Sequence, residues 1–310
     1  MAARKPVPRV DPWRCTPSAR RRGDPLLATA APAARWLLVE QPGAWGRHAL
    51  RESDFNSEVA KRLLEANSVR GIRVQAIRQP PRRTQPDRPR RWAYVDSRVR
   101  TPPTLWWGKY SDEAELLDLR LDGSEGDPTT EPIFLVCTHA RHDACCALFG
   151  RTTFTELSAH HPNRTWETSH VGGDRFAANL VVLPEGLYYG GLDGDSALQV
   201  IQAYRAGQLE LAYFRGASSH PAPAQAAEHY LRSELGERRI SAVSVVSVRP
   251  LDLTSWVVRL AHVDGNVFDG EVRSTHAAQL HRLTCSATRP AAARLFELVS
   301  LSKVGPFGAP

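Results

Sequence analysis

The chain is short of lysine, of cysteine and of long apolar runs. Only Lys5, Lys61, Lys109 and Lys303 carry an ammonium; the rest of the 40 basic residues are arginine. Arginine with abundant alanine and proline is what GC-rich coding produces without selection for a ligand, so the net charge of +7 names no partner. Nucleic acid is not expected, because no recognition module accompanies the charge. A general positive field does favour an acidic partner through steering. No run approaches the ~20 apolar residues that span a bilayer, which excludes a helical membrane role. The opening Met1–Pro8 is basic with no apolar stretch behind it and does not read as a secretory signal. The expected compartment is the cytoplasm, where thiols stay reduced and clustered Cys and His point to metal or redox chemistry. Five cysteines, at 15, 137, 145, 146 and 285, suggest no disulfide framework.

Two short runs carry chemistry. Ile133-Phe-Leu-Val136 is strand-like and delivers Cys137 into Cys137-Thr-His-Ala-Arg-His-Asp-Ala-Cys-Cys146, a segment that also holds His139, His142 and Asp143. Further on, His170-Val-Gly-Gly-Asp174 follows the strand-like Trp166–Ser169. Soft thiolates and borderline imidazoles in one domain are what iron–sulfur or zinc coordination requires. Buried thiols alone would not need the histidines. Gly172 and Gly173 serve a turn, and without Cβ atoms they would let backbone N–H groups approach a cluster. Arg175 is a candidate counter-charge. Cys15 and Cys285 stand isolated in sequence and read as bystanders. The thioredoxin Cys-x-x-Cys spacing is absent, which weighs against thiol exchange at Cys145–Cys146.

The order of elements suggests an α/β (α+β) chain with two thioredoxin-like layers in tandem and a small α+β C-terminal domain. Residues 1–28 read as a peripheral segment, 29–125 as a degenerate thioredoxin-like half, 131–220 as the better-formed thioredoxin-like domain and 222–302 as the C-terminal domain. In the first half, Trp36–Val39 reads as a strand, and Phe55, Val59 and Leu63 fall on one helix face. Two strands, 72–77 and 91–95, flank the arginine- and proline-rich loop 79–91, a solvated loop or a docking surface. Residues 104–107 are another candidate strand, and 122–128 reads as a linker. In the second half, strand 133–136, a helix around 147–160, strand 166–169, a hairpin of 180–183 with 187–189 and a helix over 195–207 follow in turn. Beyond Pro221, a helix over 224–235 precedes strands at 240–248, 255–262, 267–273 and 294–299.

Cys137–Cys146 and Ser169-His-Val-Gly-Gly-Asp-Arg-Phe-Ala-Ala-Asn-Leu-Val-Val-Leu-Pro-Glu-Gly-Leu-Tyr-Tyr-Gly190 resemble the sucrase/ferredoxin-like family, and Trp36–Gly46 resembles its N-terminal stretch. The resemblance spans roughly residues 15–220. It implies a thioredoxin-like fold holding a [2Fe–2S] cluster for one-electron transfer to a redox partner protein. It further implies Cys137 and Cys146 as thiolate ligands and His170 as the first imidazole ligand. The family's second histidine falls on Asp174 here, a harder and anionic donor, so the fourth position is a carboxylate, open, or supplied from elsewhere. Cys145, His139 and His142 are the alternates. A clusterless or zinc-stabilised binding protein of the same fold is the competing expectation, since Cys₂-His-Asp is an acceptable tetrahedral zinc set. The family's label does not imply glycosidase activity, which would need two carboxylates about a glycosidic bond that this sequence does not display.

Overall fold

Helix α1 (Cys15–Arg22) opens the described chain and ends at Gly23, whose φ of 69° closes the last turn in the left-handed region. The structure, a computed structural model, describes residues 13–79, 89–99 and 102–306. The first unit then runs β1 (Arg35–Glu40), α2 (Ser57–Val69), β2 (Ile72–Arg78), β3 (Arg90–Asp96) and β4 (Leu105–Tyr110). Helix α2 starts at Asn56 because its side chain accepts the N–H groups of Glu58 and Val59. A short 3₁₀ turn, Glu113–Leu117, and the edge strand β5 (Asp127–Thr129) follow. The stretch expected to be a linker thus contributes a strand, pairing with β4 through Leu105↔Thr129.

The second unit repeats the grammar with β6 (Ile133–Cys137), α3 (Ala144–His160), β7 (Thr165–Thr168), β8 (Leu180–Leu183), β9 (Leu187–Tyr189) and α4 (Gly194–Arg205), and β10 (Phe214–Ala217) adds an edge. In each unit a parallel strand pair joined by a helix is followed by two antiparallel strands. All ten strands form one sheet in the order β10-β9-β8-β6-β7-β2-β1-β3-β4-β5. Read outward from the β7–β2 junction, the two units are β7-β6-β8-β9 and β2-β1-β3-β4, the same order twice. These are two thioredoxin-like layers sharing a sheet. Among its described residues the first has the 3₁₀ turn where the second has its closing helix.

The junction is short, with Ile77↔Thr168 and Arg78↔Glu167 in antiparallel register. It is stitched by a buried ion pair, Arg78 Nε to Glu167 Oε2 at 2.5 Å, with the Arg78 guanidinium 3.9 Å over the Trp45 ring. Strand alternation divides the core. Trp36 and Leu38 join Leu135, Cys137 and Trp166 in one cluster common to both units, whereas Leu37 and Val39 face the opposite way, into the first unit's own core with Leu63. Phe134 and Val136 likewise face the second unit's core with Leu157, Val200 and Ile201.

Helix α5 (Ala222–Leu235) then lies on a four-stranded antiparallel sheet of β11 (Val243–Pro250), β12 (Ser255–His262), β13 (Asn266–His281) and β14 (Ala291–Pro306). Ala224, Ala227 and Leu231 meet Val258, Leu260 and Val272 in its core, and Ala28 from the N-terminal segment packs there too. The last two strands are far longer than the sequence pattern suggests. Their outer parts, from Thr275 to His281 and from Ala291 to Leu295, pair in the sheet only with each other, so period-2 burial fades there. The segment expected to be peripheral is also more engaged than its polarity implies, because Cys15, Thr16 and Ala19 are buried. Of the loop 79–91, residues 80–88 lie outside the described residues. Among the described residues no helix is long and apolar enough to cross a membrane.

Candidate metal centre

Parallel strands β6 and β7 end side by side, so Cys137 at the end of one lies close to the start of the His170 turn at the end of the other. Ligand sites in open α/β sheets gather at such carboxyl ends. The intervening helix begins earlier than its apolar pattern predicts. The Asp143 side chain accepts the Cys145 N–H at 2.8 Å, and this cap places Cys145 and Cys146 in the first turn of α3 rather than in a loop. Adjacent helical side chains diverge, and the two thiols go separate ways. Cys146 turns to Cys137 and Asp174, and Cys145 turns to Cys15 and Cys285.

Close approach of α3 to Cys137 depends on a glycine. A Cβ on Gly150 would lie 2.0 Å from the Cys137 carbonyl oxygen. Cys137 and Cys146 are both fully buried, and with His170 they bring three ligand atoms within 4.8 Å of one another. A second group, His142, His170 and Asp174, shares His170 and meets the same limit. Asp174 Oδ1 lies 2.9 Å from His170 Nδ1 and accepts from Cys146 Sγ at 3.3 Å. The His142 ring stacks on His170 at 3.7 Å, with Nε2 3.9 Å from Asp174 Oδ2.

Charge is distributed unevenly over these groups. Cys137 is held well below the usual thiol range, because the adjacent Cys146 thiol favours its thiolate and the His170 imidazolium adds to that against the cost of burial. Cys146, beside the anionic Cys137 sulfur, buried and close to the Asp174 carboxylate, is pushed well up. Burial pulls His170 down, but Asp174 and Cys137 outweigh it and raise the imidazolium to about 9. Asp174 stays below the ordinary carboxylate value although burial opposes this, since the His170 imidazolium is paired with it at 2.9 Å.

The two alternate histidines differ. His139 is buried with both ring nitrogens engaged. Nε2 donates to the Gly46 carbonyl at 2.7 Å, and Nδ1 accepts the His170 backbone N–H at 3.2 Å. It therefore braces the His170 turn. Its partner Gly46 closes the Trp36–Gly46 stretch, whose Trp45 packs edge-on against the same ring at 5.9 Å. The first unit thus supports the second unit's site. His142 has no such commitments and faces Asp174.

Sequence reasoning missed Arg215. It is 1% exposed, and its Nη1 donates to Gly172 O at 3.0 Å and to Asn179 Oδ1 at 2.7 Å. Arg175, expected as a counter-charge, is instead paired with Asp24 at 3.2 Å. Gly173, at φ 80°, must be glycine because a Cβ there would sit 2.3 Å from Arg215 Nη2. Packing of the guanidinium explains that glycine without appeal to a cluster. Nothing local in Phe214–Ala217 signals the role, whereas Gly150 in mid-helix was a readable oddity.

The residues fit a metal centre. Two thiols and an imidazole converge without forming a disulfide, and all five cysteines are free. The thiol end is dry, whereas His142 and His170 are partly exposed and line a cleft with Arg47, Arg51 and Arg73.

No curated protein matches the chain. Two solved structures, single cysteine-to-serine variants of the thioredoxin-like [2Fe-2S] ferredoxin from Aquifex aeolicus, are each similar at 14% identity. Each alignment covers 27% of this chain and 97% of that one, with a TM-score of 0.25. The family model described as Sucrase/ferredoxin-like matches residues 26–216, well over half of the chain and the whole stretch from β1 through Cys137, Cys146 and His170 to β10. The chain belongs to the sucrase/ferredoxin-like family.

Proposed function

We propose that the chain is a thioredoxin-like [2Fe–2S] electron-transfer protein whose centre is held by Cys137, Cys146 and His170, with Asp174 as fourth donor. The observation that carries this is the pair of overlapping donor groups, one with two thiols and one with imidazoles and a carboxylate, sharing His170. Unlike ends of that kind suit a two-iron centre in which thiolates serve one iron and histidine the other. Such a group supplies one-electron chemistry when bound. The protein's own contributions follow from the packing. Cys137 and Cys146, fully buried, keep water from the thiol end. His139 fixes the backbone of His170, and Arg215 with Asn179 fixes the glycine turn. The partly exposed His170 and His142 present an edge to solvent, and the arginines of the cleft would steer an acidic redox partner toward it. A cytoplasmic setting, where thiols stay reduced, fits a metal centre built on free cysteines.

A second reading has its own support. Ligand atoms of Cys137, Cys146 and His170 all lie within 4.8 Å of one another, as a single tetrahedral zinc with metal–sulfur bonds of about 2.3 Å would also require. Anaerobic purification with metal and sulfide analysis separates the two. Iron and acid-labile sulfide in equal amounts, lost in Cys137→Ser and in Cys146→Ser, are expected. Zinc without sulfide bound through these two thiols would replace the electron-carrier reading with a structural one.

A further inference from the structure

We propose that Cys15, Cys145, Cys285 and Asp143 form a structural zinc site, separate from the centre around Cys137, that pins both ends of the chain to helix α3. The four residues come from α1, from the first turn and cap of α3, and from the loop joining β13 to β14. Their ligand atoms all lie within 4.8 Å of one another.

The distances suit one ion. Cys285 Sγ is 3.5 Å from both Cys15 Sγ and Cys145 Sγ, and Cys15 Sγ is 3.7 and 3.8 Å from the two Asp143 oxygens. A tetrahedral zinc with bonds of about 2.3 Å to sulfur and ~2.1 Å to oxygen sets its sulfurs about 3.8 Å apart and sulfur–oxygen pairs about 3.6 Å apart. Three thiolates so close leave room for a single ion and not for a cluster in which each would bind a different iron. Thiolates and a carboxylate oxygen are both donors that zinc takes, and four of them complete the tetrahedron that a closed structural site requires.

Supporting contacts around the donors are in place. Asp143 accepts the Cys145 N–H at 2.8 Å through Oδ1 and the Cys285 N–H at 2.7 Å through Oδ2, so its carboxylate is oriented and each oxygen keeps a lone pair. The Cys15 N–H points at Cys285 Sγ at 3.5 Å. The N-terminus of the 17-residue α3 lies at the same point and favours negative charge. Zinc binding here releases the thiol protons to solvent and involves no change of oxidation state.

The hairpin supplies an independent reason for an anchor. Beyond Arg273, β13 leaves β12 and continues with β14 as a two-stranded ribbon, and such ribbons are marginal alone. Its tip is nevertheless carried to α1 and α3, where, among the described residues, the polar and ring contacts beside the cysteines are the Cys285 N–H bond and the Arg282 guanidinium 4.4 Å over Trp13. A metal bound at the tip accounts for that reach.

Elemental analysis of wild type, Cys285→Ser and the Cys137→Ser/Cys146→Ser double variant tests the site. About one zinc per chain is expected in wild type and in the double variant. Cys285→Ser, whose side chain is partly exposed, should retain the iron content and circular dichroism of wild type while losing its zinc. Should that variant fail to fold, cobalt added to the zinc-stripped double variant still decides, since three thiolates give intense sulfur-to-cobalt absorption. Zinc at trace level with no such absorption overturns the site. So does zinc that survives in Cys285→Ser but is lost in the double variant, or peptide mapping that finds two of the three thiols joined as a disulfide.

Discussion

At the scale of the residue, Asp174 is the point of most consequence. It stands where the family resemblance implies histidine, yet it touches both a thiol and the ring of His170. As an anionic donor it should hold the reduction potential below that of an all-imidazole end, because reduction adds charge to an already negative site. Asp174→His should therefore keep a centre and raise the potential, with a steeper pH dependence as the new ring titrates. Asp174→Ala should lower iron occupancy. Protein-film voltammetry across pH, with iron analysis, measures both. An unchanged potential and occupancy in Asp174→Ala would shift the fourth position to His142, since His139 has both nitrogens committed. Cys145 and Cys146 show how finely one residue matters. A single step along the first turn of α3 separates the Cys137 group from the Cys15 group.

Among the elements, α3 organises most of the site. Its cap residue, its first turn and its mid-helix glycine each face a different neighbour. Gly150→Ala would improve helix propensity in isolation, but here the new methyl would collide with the backbone carbonyl of Cys137, 2.0 Å away. Carbonyl and helix must part, at a cost of about 1–3 kcal/mol for overpacking. The variant should unfold at lower denaturant and lose iron, because Cys146 moves away from Cys137. Leu148→Ala, on the exposed face of the same helix, should change neither. A Gly150→Ala midpoint equal to wild type would show that α3 can slide without cost.

For the whole molecule, the question is what holds the three parts together. The two thioredoxin-like layers share a sheet, and at their junction Arg78–Glu167 and the stacked Trp107–Trp166 pair, centroids 5.5 Å apart, cross the seam. The C-terminal domain reaches back through the β13–β14 tip. If zinc fastens that tip, chelation should expose it. Trypsin should then cut after Arg282 faster in stripped than in zinc-loaded protein, with the iron content unchanged. Equal cleavage rates would mean the tip is held by its other contacts alone.

What could be read from the linear chain was local. Cys137, Cys146 and His170 sit at the ends of short apolar runs, and period-2 and period-3.6 patterns placed those runs on neighbouring strands and a helix. The repeated order of elements likewise disclosed two layers. Tertiary structure alone decided the rest. Cys15 and Cys285 are 270 residues apart, and Cys145 and Cys285 are 140 apart, so no spacing relates them. Arg215 reaches Gly172 across 43 residues, and His139 reaches Gly46 across 93. Periodicity reports which face a residue shares with its near neighbours, but the meeting of distant loops is set by how sheets and helices pack, and that information is spread over the whole chain.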